Sequence, residues 1–302
     1  MPESIRVEPV TPENAAQLKR YANEHGREHD DSYLPGIDFE LSPDCPGYLL
    51  RNGDAVVGAA VLMRTERFRK ARKGRFSILH AFPCTRKTYS LLLKAMHPHF
   101  CGLGSVFLFL PERKRKVRAI LEGLGFSVER YSSLMENRDP ADPEVRFPRG
   151  FTVRPLDVSD WDGIRRFARC VNVNFRETAG HIDSSPDDIR RMFHEPGYLK
   201  EGICMLWKER EAVGTVCISR EPETAGTAEI GGLSVDPRFR EQGLGRMLLR
   251  YARRMAHASG LPAVVLSVNA ENELAFRLYR SEGFLPLQTM VCYTLMCGKR
   301  AE

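Results

Sequence analysis

The stretch Ala228–Arg246 reads AEIGGLSVDPRFREQGLGR. Its first eight residues are strand-like and end at Asp236-Pro237. Its last residues run Arg240-Glu241-Gln242-Gly243-Leu244-Gly245-Arg246 straight into a helical pattern. Leu244, Met247, Leu248, Tyr251 and Met255 keep helical spacing from about Gln242 to Ser259, and Gly260 with Pro262 stops the helix. A helix start carries unpaired N–H groups and the positive end of the helix dipole, and glycines let an anion come close to the backbone. The segment therefore predicts a pyrophosphate cradle. Gly-x-Gly before a helix is a weak signal alone. A nicotinamide-cofactor fingerprint is excluded, because Leu248 stands where its third glycine would fall and the next strand, Pro262–Val268, carries no acid. The lysine of a nucleotide P-loop is also missing.

Outward from this stretch the order of elements is legible. Phe151–Leu156 is a short strand, and Asp160 can cap a helix running to about Asn174 with Trp161, Ile164, Phe167 and Ala168 on one face. Ser185-Pro186 opens another helix, since serine caps and proline suits the first turn. Strands follow at about 202–208, 212–220 and 227–235. After the long helix come the strand Pro262–Val268, a helix Glu271–Ser281, and a closing strand or pair of strands within Phe284–Met296. This is a mixed α/β layer and not a regular parallel βαβ array.

The second informative stretch is Leu266–Phe284, LSVNAENELAFRLYRSEGF. Together the two segments resemble motifs A and B of the GNAT N-acetyltransferase superfamily, in the family's order and separated by one helix and one strand. The resemblance implies an α/β fold, acetyl-CoA as co-substrate, and transfer of an acetyl group to a primary amine of a small molecule or peptide. It implies that backbone N–H groups of Gln242, Gly243, Leu244, Gly245 and Arg246 hold the pyrophosphate, with Arg240 beside them. Within Leu233-Ser234-Val235, the backbone of Leu233 and Val235 would pair with the pantetheine arm like another strand. Gly231-Gly232 suits the close approach such a strand needs. Glu241 departs from the glycine many members carry, but its side chain can face solvent. Tyr279 stands where the family places a general acid for the departing thiolate; the alternative is a tyrosine packed on a helix face. Glu229 is the candidate base, against an exposed glutamate with no role. Asn272 can bond the pantetheine or cap its helix, a task Asn269 could also perform.

The chain also repeats itself near a 150-residue period. Residues 5–9 match 152–155, residues 49–58 answer 205–214, and Leu124-Gly125-Phe126 answers Glu282-Gly283-Phe284. Two tandem GNAT-like domains are expected, each a mixed, mostly antiparallel sheet flanked by helices. Residues 1–137 form a degenerate domain without a cofactor site, 138–150 a proline-rich linker, and 151–302 the catalytic domain. In the repeat register Leu121 replaces Tyr279, Lys114 replaces Asn272, and Cys84–Thr88 replaces the cradle. The tandem layout is similar to that of the mycothiol synthase family, without carrying over its substrate.

Composition bounds the rest. The 302 residues are 42% hydrophobic and 28% charged, with no run able to span a membrane, so a globular, cytoplasmic protein is expected. The start, Met-Pro-Glu-Ser-Ile-Arg, lacks the pattern of a signal peptide. Eight cysteines without a CxxC pair read as reduced, packed thiols. The net charge of +6 is concentrated at Arg64–Arg75 and Arg113–Arg118, runs that read as solvated faces first and as anion-binding surfaces second. Two rival readings stay open: a non-catalytic acyl-CoA sensor, and an acetyltransferase recruited to RNA or another polyanion. Phe68 is the only aromatic residue within the first basic run, which argues against base stacking. His25-x-x-x-His29-Asp30-Asp31 has ligand spacing but no further ligand in view, and no metal is expected. His181 lies in a loop that lines acceptor pockets in the family.

Overall fold

The chain carries two copies of one strand plan, which differ in where the second helix of each copy falls. The first copy runs β1 (Ile5–Pro9), α1 (Ala15–His25), β2 (Gly47–Asn52), β3 (Ala55–Met63), α2 (Glu66–Lys70), β4 (Lys73–Ala81), α3 (Arg86–Met96), β5 (Ser105–Pro111), α4 (Arg115–Gly123) and β6 (Ser127–Asn137). The second runs β7 (Phe151–Pro155), α5 (Trp161–Asn174), α6 (Pro186–Met192), β8 (Tyr198–Lys208), β9 (Glu211–Arg220), β10 (Thr227–Val235), α7 (Leu244–Ala258), β11 (Ala263–Asn269), α8 (Glu273–Ser281) and β12 (Leu285–Met296). The structure, a computed structural model, describes residues 5–28, 34–35, 39, 41–221 and 224–298. Among them no helix is long and apolar enough to cross a membrane.

The chain divides into two units, Met1–Ser132 with Gln288–Glu302, and Ser133–Leu287. This corrects the boundaries drawn from the sequence, which gave the whole last strand to the second domain. The cause is pairing. β12 runs antiparallel to β5, from Met290 opposite Pro111 to Met296 opposite Ser105. Val291 and Tyr293 are fully buried in the core that also holds Leu108 and Leu110. Conversely, Met135 of β6 is buried in the second unit's core. Both boundaries fall inside a strand, β6 being divided after Ser132 and β12 after Leu287.

In the first unit β1–β5 pair in sequence order, antiparallel except for the parallel β4–β5 pair. Successive residues of β2, β3 and β4 point to opposite faces, and both faces are covered. Leu49, Ala59, Val61 and Ile78 pack under α1 with Leu18. Leu50, Ala60, Leu62 and Leu79 pack under α3 with Tyr89 and Leu92. That is why β3 reads as the unbroken apolar run AVVGAAVLM. The second unit repeats the plan. β7, β8, β9 and β10 pair antiparallel, and β10 pairs parallel with β11. Ile203 and Met205 face α5 and α6, while Cys204 and Leu206 face α7.

The helix signals act as the sequence predicts. The Asp160 carboxylate accepts from Gly163 N at 2.8 Å at the start of α5. Ser185 and Asp188 form a reciprocal capping box, with Pro186 in the first turn of α6. The basic run Arg64–Arg75 is partly tied down within its own unit. Arg69 pairs with Asp44, Lys70 with Glu66 at 2.8 Å and Lys73 with Glu129 at 3.5 Å, while Arg64 donates to the His99 carbonyl at 3.0 Å.

Candidate active site

The site grows from β10. Its parallel pairing with β11 ends at Ile230 opposite Leu266, although β10 continues to Val235 and β11 to Asn269. Beyond that point the two strands part, which exposes backbone groups on β10. On its other edge, pairing with β9 slips between Gly231 and Ser234, where Gly232 and Leu233 stand against the single residue Val216. Gly232 has φ +56°, which a glycine adopts freely, and a Cβ on Gly231 would meet nothing within 4 Å.

A buried polar network pins this bulge. Thr215 Oγ1 donates to the Gly232 carbonyl at 2.7 Å and lies 2.7 Å from Ser234 Oγ, which accepts from Asn174 Nδ2 at 3.0 Å. Arg240 ties the same region to α5, donating through Nε to the Val235 carbonyl at 3.1 Å and through Nη2 to the Asn174 carbonyl at 3.3 Å. Ser234, Asn174 and Arg240 thus hold one geometry together.

Past β10, Asp236 caps a single 3₁₀ turn, Pro237–Phe239, and the chain enters α7 through Gly243 at φ +75°. No side chain caps α7, so the N–H groups of Leu244, Gly245 and Arg246 form an open, positively polarised end. A Cβ on Gly243 would meet no protein atom within 4 Å. Glu241 is exposed, as expected, and has φ +63°. A left-handed backbone there explains the family's preference for glycine and costs a side chain roughly 1 kcal/mol.

Tyr279 lies on α8 with 7% of its surface exposed, its ring 6.0 Å from that of Phe284. Desolvation pushes its phenol up to about 12, so the proton stays on. Asn272 Oδ1 accepts from Ala275 N at 3.1 Å and caps α8, while Asn269 donates to the Ala179 carbonyl at 3.1 Å. Of the two, Asn272 is the cap. Glu229 is exposed in β10, opposite Ser219 and Val265 and next to the last paired residue. His181 stacks on Phe175 with ring centres 5.8 Å apart and lies 3.3 Å from Asp183.

Sequence reasoning missed Glu282. Its carboxylate, 4% exposed, accepts from Arg246 Nη1 at 2.8 Å and from Arg250 Nε and Nη2 at 2.7 and 3.0 Å, joining α7 to the end of α8. Two arginines four apart on one face of α7 were the available signal. The thiols are free. Burial pushes Cys170 and Cys204 up to about 12 and about 11, which leaves both protonated and inert.

The first unit departs at each corresponding position. Lys114 precedes α4 as Asn272 precedes α8, and fully buried Leu121 replaces Tyr279. The start of α3 is closed by a capping box in which Thr85 and Thr88 satisfy each other's backbone N–H at 3.3 Å.

Residues 167–284 match the Acetyltransferase (GNAT) family, and the chain carries a GNAT domain over that segment. Among curated relatives, the mycothiol acetyltransferase of Thermomonospora curvata is 30% identical over 154 residues, covering 50% of this chain and 50% of the relative. That of Streptomyces scabiei is 26% identical over 210 residues, covering 65% and 67%. The chain thus spans about half the length of several curated relatives it matches. Among solved structures, a GCN5-related N-acetyltransferase from Sphaerobacter thermophilus superimposes with a TM-score of 0.72 at 17% identity, over 98% of this chain and 96% of the other. A tandem GNAT protein from the clavulanic acid biosynthesis pathway gives 0.72 at 14% identity, over 98% and 99%. The fold is that of two tandem GNAT-like domains.

Proposed function

We propose that the chain is an acetyl-CoA-dependent N-acetyltransferase acting on a primary amine of a small molecule or peptide. The observation that carries this reading is the parting of β10 from β11 beside the uncapped start of α7. The residues suit acetyl-CoA: Gly231 and Gly243 leave room where a Cβ would intrude, and Leu233 and Val235 offer strand backbone to the pantetheine amides. N–H groups of Gln242 to Arg246 take the pyrophosphate, with the charge of Arg240 nearby. When bound, the co-substrate supplies the thioester acyl group. Tyr279, protonated by virtue of burial, gives its proton to the departing sulfur in this reading, and Glu229 takes one from the amine directly or through water. The capping box on α3 and Leu121 leave the first unit without a counterpart, so one acetyl-CoA binds per chain. The name of the relatives, mycothiol acetyltransferase, places the corresponding amine among the acceptors to try.

The test is CoA release across a panel of amines and amino acids, with calorimetry of acetyl-CoA alone. We expect one site, abolished by Gly243→Asp with Gly245→Asp, which sets carboxylates against phosphates. Two equivalent sites, or binding that survives both changes, would overturn the reading. Binding without turnover of any amine would leave an acyl-CoA sensor.

A further inference from the structure

Within the first unit, two neighbouring side chains at and just after the end of α1 meet a third, distant in sequence, where β4 ends. His25 closes α1, Glu28 sits in the one-turn 3₁₀ segment Gly26–Glu28, and His80 is the last residue but one of β4. His25 Nδ1 lies 3.5 Å from Glu28 Oε1, and His80 Nε2 lies 3.8 Å from Glu28 Oε2. The imidazoles stack with centres 4.8 Å apart and planes 25° apart. One ligand atom from each residue falls within 4.8 Å of the others. His29, Asp30 and Asp31, which share the sequence motif, lie outside the described residues.

The hydrogen bond at Nδ1 decides which nitrogen of His80 faces the carboxylate. Tyr21 Oη is 3.1 Å from the Val57 carbonyl and 2.8 Å from His80 Nδ1. With Nδ1 held by the phenol, Nε2 is the ring nitrogen on the Glu28 side. The His80 side chain is 7% exposed. The Lys114 ammonium lies 2.6 Å from Glu28 Oε2, and Oε1 is on the side of His25. Two imidazoles and a carboxylate thus bring their donor atoms together at one place in the first unit.

We propose that His25, Glu28 and His80 form a binding site for a divalent transition-metal ion of the zinc type in the first unit. Two imidazoles and one carboxylate are a ligand set that zinc favours, with a fourth position for water, whereas Ca²⁺ and Mg²⁺ prefer oxygen ligands alone. At Zn–N and Zn–O lengths of about 2.1 Å, tetrahedral ligand atoms stand roughly 3.4 Å apart, so the cluster needs only a small contraction. The Tyr21 phenol plays the outer-shell part, holding the non-ligating nitrogen of His80. The ion fastens α1 and its 3₁₀ turn to β4. It does so at the strand position that, counted along two nine-residue strands, matches Ser234 in β10.

The full chain, stripped with a chelator, is titrated with Zn²⁺ against a chromophoric competitor and, separately, with Co²⁺. We expect one ion per chain, cobalt d–d bands without a thiolate charge-transfer band, and a rise in Tm on adding Zn²⁺. His25→Ala and Glu28→Gln, both at partly exposed positions that the fold tolerates, weaken binding at least ~10-fold, and Tyr21→Phe weakens it by about 10–100-fold. Absence of stoichiometric binding, a thiolate band from the cysteines, or unchanged affinity in both His25→Ala and Glu28→Gln would overturn the proposal.

Discussion

Replacing Glu282 by Gln tests how the second unit holds the cradle helix α7 against α8, which carries Tyr279. The Glu282 carboxylate accepts three charge-assisted bonds, one from Arg246 and two from Arg250, at 2.7–3.0 Å. Breaking a buried ion pair by removing one partner costs roughly 3–5 kcal/mol. Here the acid is 4% exposed, but the Arg246 and Arg250 side chains are 41% and 29% exposed and can recover water. Gln also keeps one acceptor oxygen at nearly the same volume. Those two facts reduce the expected loss to about 2–3 kcal/mol. Both tryptophans of the chain, Trp161 and Trp207, lie in the second unit, so urea unfolding followed by tryptophan fluorescence reports on that unit. With a slope of about 2–3 kcal/mol/M, the midpoint should fall by about 1 M and the slope should stay unchanged. A shift worth less than about 0.5 kcal/mol would place this network among exposed surface pairs and refute the reasoning.

Three further outcomes follow from the same geometry. Tyr279→Phe should lower kcat by about 10²-fold with acetyl-CoA affinity nearly unchanged, measured by steady-state kinetics and calorimetry. Because burial raises the phenol to about 12, its proton is retained below that point, and the wild-type kcat should show no alkaline fall assignable to Tyr279 below about pH 10; such a fall, lost in Tyr279→Phe, would contradict the burial argument. Glu241→Gly should stabilise the protein by up to ~1 kcal/mol, by relieving a φ of +63°, and lower the KM for acetyl-CoA by removing a carboxylate near the phosphates; a raised KM would sink this account. Ending the chain at Leu287 removes the strand that pairs with β5 and deletes the buried Val291 and Tyr293, so the product should lose the near-UV circular dichroism of the first unit and aggregate at the bared edge.

Much of this was legible because the relevant signals are local. Asp160, Ser185 and Pro186 act on N–H groups within three residues, so the starts of α5 and α6 could be read directly from the sequence. The cradle segment is likewise contiguous: Gly243 has the positive φ that leads the chain into α7, and Gly245 lies in the first turn of that helix. What escaped was long-range. Glu282 meets arginines 32 and 36 positions away, and His80 meets Tyr21 across 59. The domain boundary failed for a related reason. A linker rich in proline and charge marks where the chain leaves one copy of the repeat, whereas pairing decides which unit a strand completes. β12 follows Gly283-Phe284 in sequence, but its pairing with β5 and the apolar face of Val291 and Tyr293 place it in the first unit.

The two units share a backbone plan and differ in what is set upon it. In both, the fourth strand pairs parallel with the fifth for only a few residues, ending at Arg75 opposite Phe107 in one and at Ile230 opposite Leu266 in the other. Strand separation is therefore a property of the fold and does not by itself make a site. The difference lies at the next helix. α7 begins on a left-handed glycine with its first N–H groups uncapped, while α3 begins on a threonine pair that occupies the same kind of N–H group. A capping box satisfies donors that an anion would otherwise meet: Thr85 stands at the cap position of Gly243 and Thr88 at the position of Arg246, and together they close the helix start without disturbing a strand.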